Sequence, residues 1–177
     1  MAVQHILVDY MNYISGSITL QEYIDRLCNQ VENNQVKSFL HNFLESTHAI
    51  NEHFAIANQE MSIRYPVYAN NIQVYYFYVR KIPALHHYCI YIVIPAGHPL
   101  NGHSYDDVPD ATYCSPDSED PTRWIFGWDY MHFEYCTPGI LHFLISNAPD
   151  ELLAKKIISV ETLMNDIHSK IDYLCAI

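Results

Sequence analysis

Apolar residues in the first third of the chain recur every three or four positions, in three successive runs. The first run covers residues 6–14 and stops at a Ser-Gly-Ser stretch, residues 15–17, which is typical of a helix end. A capping box at residues 19–22 predicts the start of a second helix, because its threonine and glutamate can each satisfy the other's backbone amide. An Asn-Asn pair then precedes a third helical run. We therefore expect residues 1–62 to form a helical segment.

Later runs follow a different pattern, rich in aromatic and β-branched residues. Residues 72–82 alternate weakly and residues 88–94 are almost entirely apolar, so both predict strands, the second buried on both faces. Residues 124–130 predict a third strand. A proline and paired asparagines make residues 64–71 a predicted connector. Five prolines and six acidic residues make residues 95–121 a predicted loop region.

The last 30 residues carry the clearest periodic signal in the chain. Apolar residues recur there at alternating spacings of four and three, which is the a/d pattern of a heptad repeat. This stripe consists of Leu153, Ile157, Val160, Met164, Ile167, Ile171 and Leu174. Upstream, residues 137–139 predict a turn, Asn147 is a candidate helix cap and Pro149 suits a first helical turn. We predict a long helix that packs on the sheet or, alternatively, forms the seam of a homo-oligomer.

The predicted fold class is α+β, with N-terminal helices, a small and mainly antiparallel sheet, and a long C-terminal amphipathic helix packed on that sheet. We divide the chain into a helical segment, residues 1–62, and an α+β ligand-binding domain, residues 72–177. A chain of 177 residues can bury a sizeable core without the help of a disulfide or a metal ion.

The charge balance narrows the range of partners. Nine Lys and Arg residues face 20 Asp and Glu residues, which gives a formal net charge of −11. This charge argues against a nucleic-acid polymer or an anionic membrane as partner, because both require a basic surface. The longest apolar run has the length of a strand, the N-terminus lacks the features of a signal peptide, and no two cysteines form a C-x-x-C motif. We therefore expect a cytosolic protein with reduced thiols and no membrane partner.

Two stretches carry recognisable motifs. The first reads Pro-Ala-Gly-His-Pro-Leu-Asn-Gly at residues 95–102 and continues to Tyr-Asp at 105–106; the second reads Trp-Ile-Phe-Gly-Trp-Asp-Tyr-Met-His at 124–132. Over residues 83–174 these motifs, with the C-terminal helix, resemble a family of small, mostly uncharacterised bacteriophage proteins. The family's His-Gly-Gly stretch is missing here, and its terminal Gly-Asp has become Phe-Glu at 133–134. The resemblance implies a phage setting and a shared pocket, and little chemistry.

The candidate ligand-binding residues lie in or beside these motifs. They are His98, Tyr105, Tyr113, Arg123, Trp124, Trp128, Asp129, His132 and Glu134. A carboxylate at Asp129 can orient the His132 imidazole, as general bases and metal ligands both require. Arg123 is the best single partner for a phosphate or carboxylate. The structural alternatives are that the Asp–His pair satisfies buried polar groups and that Arg123 pairs with the acids at 117–120.

Aromatic side chains offer a second kind of ligand contact. We expect Trp124 and Trp128 to share one face of their strand. Phe126 and Tyr130 are then assigned to the opposite face, so that one face packs in the core and the other offers rings on which a nucleobase can stack. Both tryptophans belong to the core in the alternative interpretation. His98 either contacts a ligand at the mouth of the preceding strand or is hydrogen-bonded into its own turn.

We expect a phage or viral counter-defence protein that sequesters a small nucleotide-derived host immune signal in the host cytosol, as a homo-oligomer and without catalysis. Among the cysteines and histidines of residues 98–136, only His132 with Cys136 and His98 with His103 have the short spacing of zinc ligands, and no metal or other cofactor is expected. One alternative is a phosphodiesterase or other hydrolase that acts on such a nucleotide through His98, Asp129, His132 and Glu134. Another is an interaction protein that blocks a host protein through residues 1–60 and the acidic loop.

Overall fold

The computed structural model describes residues 2–69, 73–83 and 86–177. The helices in this part of the chain are α1 (Ala2–Ile14), α2 (Leu20–Gln30), α3 (Asn34–His53), α4 (Pro138–Asn147), α5 (Pro149–Leu153) and α6 (Val160–Cys175). The strands are β1 (Tyr65–Ala69), β2 (Gln73–Lys81), β3 (Tyr88–Ile94), β4 (Tyr113–Pro116) and β5 (Trp124–Asp129). A short 3₁₀ helix, Tyr105–Asp107, lies between β3 and β4. The predicted Asn70-Asn71 turn and the predicted strand residue Ile72 lie outside the described residues.

These strands form one antiparallel sheet in the spatial order β1-β2-β3-β5-β4. The central strand β3 is buried along its entire length, as its apolar sequence predicts. Each edge strand is short and contains a proline, Pro66 in β1 and Pro116 in β4. Prolines are tolerated at sheet edges because a missing N–H there costs no ladder hydrogen bond. Together with the helices, this sheet confirms the predicted α+β fold.

One face of the sheet carries the main hydrophobic core. Helix α6 packs on this face, and the end of α3 contributes Ile50 and Phe54. The sheet side of the core includes Ile90, Ile92 and Phe126, each completely buried. Burial of a side chain of this size contributes about 1.5–3 kcal/mol relative to exposure, so this interface is a major source of stability.

The opposite face of the sheet, which we call the open face, has a smaller cluster without any residue from a described helix. Its members are Tyr76, Tyr78, Ile82, Cys89, Tyr91, Val93 and Ile125. Aromatic and apolar side chains therefore line a sheet surface that no helix covers within the described part of the chain.

A second core joins the N-terminal helices to the later part of the chain. Tyr23 of α2 and Leu40 of α3 belong to the same cluster as Leu141 of α4 and Leu152 of α5. The predicted helical segment, residues 1–62, thus shares a hydrophobic core with the segment predicted as a separate ligand-binding domain.

The predicted start of the second helix is confirmed, and a further cap starts the third. Thr19 Oγ1 accepts a hydrogen bond from the Glu22 backbone N–H at 3.1 Å. Asn33 Oδ1 accepts one from the Gln35 backbone N–H at 2.9 Å, which caps α3. Each cap satisfies an amide that the helix itself leaves without a partner. Among the described residues, no helix combines the length and apolar character that crossing a bilayer requires.

Three elements lie where the sequence predicts connections. Strand β1 lies in the predicted connector, because Pro66 is compatible with an edge strand although it is incompatible with a central one. Strand β4 lies inside the predicted loop region. Helix α4 begins at Pro138, within the predicted turn, since a proline in the first helical turn removes an N–H that has no intrahelical partner.

The predicted C-terminal helix is interrupted and forms α5 and α6. Between them, Lys156 pairs with the chain near residue 135: its N–H donates to Glu134 O at 2.7 Å, and its carbonyl accepts from Cys136 N–H at 2.8 Å. Ser159 then caps α6 by accepting the Thr162 N–H at 3.1 Å. Only the later part of the heptad stripe lies on the sheet, and its buried members are Ile167, Ile171 and Leu174.

Candidate functional site

Four predicted site residues lie around one cavity at the end of β5. This β5-end cavity has a volume of about 410 Å³. It is lined by Asp110, Trp128, Asp129, Tyr130, His132, Glu134, Tyr135, Asp166 and Lys170. The predicted members are Trp128, Asp129, His132 and Glu134, which come from the last residues of β5 and from the loop that follows.

The turn after β5 and the facing helix α6 order the polar groups of this cavity. Asp129 Oδ1 accepts a hydrogen bond from the Met131 backbone N–H at 3.0 Å, so this bond stabilises its own turn rather than orienting His132. The Tyr130 hydroxyl donates to the Asp166 carboxylate on α6. Burial raises the pKa of Tyr130, and the neighbouring Asp166 carboxylate raises it further. Tyr130 therefore stays a protonated donor at neutral pH.

Trp128 connects the cavity to the main core. Its side chain is buried, and its indole N–H donates to the Pro109 carbonyl at 3.0 Å. The Lys170 ammonium lies 5.3 Å from the centre of the indole ring, within the range of a cation–π contact. A lysine of α6 is thus placed against an aromatic ring at the cavity wall.

A second cavity adjoins the first and shares His132 and Tyr135 with it. This apolar groove has a volume of about 490 Å³. Its lining is Met131, His132, Phe133, Tyr135, Thr137, Gly139, Ile140, Phe143, Leu144, Glu151 and Lys155. Phe133 is 80% exposed and Phe143 is 60% exposed, which is unusual for such large apolar side chains. The apolar groove thus supplies an aromatic half of the combined site, and the β5-end cavity supplies a carboxylate-rich half.

Three lysines lie around the two cavities. The Lys155 ammonium lies 3.3 Å from the centre of the Phe133 ring, Lys156 approaches the Glu134 carboxylate at 3.5 Å, and Lys170 lines the β5-end cavity. These positive charges locally oppose the net negative charge of the chain. None of the three was predicted as a site residue, because the sequence places them outside the recognised motifs.

The remaining predicted residues lie elsewhere. His98 and Trp124 lie near the opposite end of β5 from Asp129, and the strand spans about 17 Å. Tyr105 lies in the 3₁₀ helix and lines neither cavity. Buried His98 donates from Nε2 to the Leu174 carbonyl at 2.7 Å and accepts at Nδ1 from the Leu100 N–H at 3.0 Å. The Trp124 indole N–H donates to the His103 carbonyl at 3.0 Å. Both histidine nitrogens and the indole N–H are therefore engaged within the protein.

Arg123 and Tyr113 lie on the side of the open face. The Arg123 guanidinium lies 4.8 Å from the centre of the Tyr76 ring, and its Nε approaches Asp120 at 3.4 Å. The contact with Asp120 agrees with the alternative interpretation, in which Arg123 pairs with the acidic residues at 117–120. Tyr113 packs edge-on against Tyr91.

The expected distribution of aromatic residues on β5 is wrong. Trp124, Phe126, Trp128 and Tyr130 all contact the main core, because residues two apart on a strand share a face. The opposite face of β5 carries Ile125 and Gly127, whose cross-strand partners belong to the open face. This strand therefore offers no tryptophan platform on the face away from the core.

Several residues of the β5-end cavity were missed by the sequence analysis. Tyr130 was assigned to the wrong face, while Asp166 and Lys170 lie on the polar side of a helix where charged residues are usually only solvated. Asp166 and Lys170 are four residues apart, so they lie on one side of α6, and this spacing is the sequence signal that could have indicated them. What the sequence does not show is that this side of α6 lies next to the end of β5.

Among the described residues, no group of three His, Cys, Asp or Glu side chains has a metal-binding arrangement. Comparison of the chain with protein-family models, with curated proteins and with solved structures finds no significant match.

Proposed function

We propose that this chain is a phage or viral counter-defence protein that binds and sequesters a small nucleotide-derived host immune signal. The observation that carries the proposal is the adjacency of two unlike cavities, the β5-end cavity and the apolar groove, which share His132 and Tyr135. A nucleoside has the same two halves, a flat apolar ring and a sugar rich in hydroxyl groups. The phage setting rests on the resemblance of residues 95–102 and 124–132.

The apolar groove suits the base of such a ligand. Phe133 and Phe143 line it and are largely exposed, so their rings are accessible to a planar group. Stacking of a nucleobase on an aromatic side chain contributes about 1–3 kcal/mol. The groove supplies this contact without any requirement for a particular base.

The β5-end cavity suits the sugar. Carboxylates accept hydrogen bonds from ribose hydroxyls, and Asp129 and Glu134 line this cavity. A hydrogen bond to a charged group contributes about 1.5–3 kcal/mol. His132, on the wall common to both cavities, lies where the base and the sugar of such a ligand would join.

The charges limit the ligand to few phosphates. Lys155 in the groove and Lys170 in the cavity can each face one phosphate. Asp110, Asp129 and Asp166 around them disfavour a polyanion. The proposed ligand therefore carries one or two phosphates, as cyclic nucleotides and cyclic ADP-ribose isomers do.

Ligand capture tests the proposal. The purified chain is incubated with cyclic mononucleotides, cyclic dinucleotides and cyclic ADP-ribose isomers, separated from free ligand, and then heat-denatured. We expect one of these compounds to be retained and released chemically unchanged, as detected by mass spectrometry. Lys170→Met is expected to reduce retention at least tenfold, whereas the control Lys37→Met on α3 is expected to leave it unchanged.

The outcomes separate the proposal from its alternatives. Retention of none of these compounds contradicts the proposal. Release of a new product that is lost in His132→Ala favours the hydrolase instead. Retention that Lys170→Met and Lys37→Met reduce equally shows that the β5-end cavity is not the binding site.

A further inference from the structure

A groove on the open face is separate from both cavities of the proposed site and shares no lining residue with either. This open-face groove has a volume of about 510 Å³. It runs between the segment before β1, which contributes Met61, Ile63 and Arg64, and the β4 side of the sheet, which contributes Tyr113 and Glu119. A volume of this size can hold a small heteroaromatic molecule.

The floor of the groove includes Tyr78 and Ile125 and rests on a row of residues directly across four strands. Tyr78 of β2 pairs with Tyr91 of β3, which pairs with Gly127 of β5, which pairs with Tyr113 of β4. The rings of Tyr78 and Tyr91 stack with centres 4.8 Å apart and planes 13° apart. A Cβ on Gly127 would lie 2.7 Å from the Tyr91 ring, so the glycine lets that ring lie over β5. Tyr78 therefore lies between the Tyr91 ring and the Arg64 guanidinium, which is 5.2 Å from the centre of the Tyr78 ring, and Tyr78 is buried.

The walls leave accessible aromatic and apolar surface. Tyr113 is 46% exposed, and its ring meets Tyr91 edge-on with centres 5.7 Å apart. On the other side, Met61 and Ile63 are exposed although both are apolar. A flat ring between these two walls would cover apolar surface on both sides and lie above Tyr78 and Ile125, which belong to the floor.

The charges of the groove disfavour an anionic ligand. The Arg64 guanidinium binds Asp117 through Nη1 and Nη2, each at 2.8 Å, and its Nε approaches Glu119 at 3.4 Å. Each guanidinium nitrogen of Arg64 therefore already faces a carboxylate, which disfavours a bidentate contact with a phosphate or carboxylate ligand. Glu119 is largely exposed and remains available as an acceptor for N–H groups at the edge of a ring.

We propose that the open-face groove binds a planar, uncharged or cationic heteroaromatic ring of nucleobase size between Tyr113 and the segment 61–64. The ring packs against Tyr113 on one side and against Met61 and Ile63 on the other, and an amino group on its edge donates to Glu119. The negative charge of Glu119 and the pairing of Arg64 with two carboxylates disfavour ligands with a phosphate.

Methyl and amide NMR signals of the full chain, titrated with adenosine, test this proposal. We expect shift changes at Met61, Ile63 and Ile125. Tyr113→Ala is expected to weaken adenosine binding at least fivefold. The matched control Tyr68→Ala, which removes an exposed strand tyrosine outside the groove, is expected to leave the affinity within twofold. Glu119→Gln, at an exposed position, is a second variant that is expected to weaken binding without affecting the fold.

Adenosine 5′-monophosphate, titrated in the same way, tests the charge argument. We expect the monophosphate to bind no more tightly than adenosine, as measured from the shift changes at Met61, Ile63 and Ile125. Tighter binding of the monophosphate, absence of shifts at these three residues, or equal loss in Tyr113→Ala and Tyr68→Ala would overturn the proposal. Lys170→Met is expected to leave these shifts unchanged, so failure here is distinguishable from failure of the β5-end cavity as a binding site.

Discussion

Arg64 and Asp117 form a bidentate ion pair that joins the two edges of the sheet across its open face. Two N–H groups of the guanidinium donate to the two carboxylate oxygens, each at 2.8 Å. Arg64 directly precedes edge strand β1, and Asp117 directly follows edge strand β4. The Asp117 side chain is 0% exposed and that of Arg64 is 19% exposed. Arg64 lines the open-face groove, so this pair holds one of the residues of its wall in place.

Loss of this ion pair is expected to destabilise the protein strongly. Asp117→Asn leaves a mostly buried guanidinium without its charged partner, and we expect a loss of about 3 kcal/mol in the free energy of unfolding. Urea unfolding followed by circular dichroism measures this loss. The control is Glu60→Gln, which breaks the exposed pair with Arg80 and is expected to cost less than about 1 kcal/mol. Equal losses in the two variants would contradict the structural importance of Asp117.

The Arg64–Asp117 pair predicts part of the loss of stability at acidic pH. Burial alone would raise the pKa of Asp117, but hydrogen bonds from Arg64 and from the Glu119 N–H outweigh burial and lower it. A carboxyl with a lowered folded pKa contributes stability above its unfolded pKa of about 3.9, and that contribution is lost as pH falls through the folded pKa. We expect the free energy of unfolding to decrease below about pH 4, and to decrease less in Asp117→Asn. If the free energy of unfolding of the unmodified chain and of Asp117→Asn depended identically on acidic pH, the assignment of this effect to Asp117 would be contradicted.

Gly127 is expected to tolerate no side chain. Gly127→Ala places a Cβ against Tyr91 and within 3.2 Å of the Tyr113 Cβ, so the floor of the open-face groove must shift. We expect a loss of about 1–3 kcal/mol in urea unfolding, as overpacking of a dense site typically costs. Gly97→Ala is the matched control, because no atom lies within 4 Å of a Cβ built there. A loss of the same size in both variants would contradict crowding at Gly127, because replacing a glycine of ordinary backbone conformation by alanine does not by itself destabilise a protein.

His98 is expected to act in stability rather than in ligand capture. Its two ring nitrogens tie the turn after β3 to the Leu174 carbonyl at the end of α6, so His98→Ala leaves buried polar groups without partners. We expect a loss of about 2–3 kcal/mol in unfolding free energy, with unchanged retention by the folded protein of any ligand captured in the β5-end cavity. His103→Ala, at an exposed position, is expected to change stability by less than about 0.5 kcal/mol. Loss of ligand capture by folded His98→Ala protein would instead identify His98 as a ligand contact.

Alkaline pH is expected to unfold the protein together with tyrosine ionisation. Burial raises the pKa of Tyr78 to about 12, although Arg64 opposes part of this shift. An unfolded tyrosine has a pKa of about 10, so the contribution of Tyr78 is complete below that value and is lost as pH rises through about 12. We expect unfolding free energy to fall over this interval, with a smaller decrease in Tyr78→Phe. Absorbance near 295 nm follows tyrosinate formation; ionisation that is complete before any unfolding would contradict the prediction.

The helical part of the fold could be predicted because helix signals are local. Apolar spacing and the cap at Thr19 depend on residues within one or two turns of each other, and these predictions are confirmed. The C-terminal break was not predictable from the same signals, since the heptad stripe continues through it. Helix α5 ends because Lys156 pairs with the backbone of Glu134 and Cys136, and no sequence period reports that contact.

The edge strands and the composition of the site depend on distant partners. Residues 65–69 form a strand only through pairing with β2, and residues 113–116 only through pairing with β5. The sequence correctly indicated that Asp129, His132 and Glu134 lie close together, because they are close in the chain. It did not indicate that Lys170 lies beside them, because this depends on how α6 packs. It also did not indicate that Arg123 lies on another surface, because this depends on the course of the loop before β5.

The prolines of the two edge strands have a consequence for self-association. A sheet edge with unpaired backbone groups can template the addition of a strand from another molecule, which leads to fibrillar aggregation. Pro66 and Pro116 each remove a donor from such an edge, and both edges are only four or five residues long. A strand from a second copy of this chain would therefore pair poorly with either edge strand of the sheet. We expect any homo-oligomer to assemble through helical surfaces, and the protein to stay dispersed at concentrations at which an unprotected tyrosine-rich sheet would polymerise.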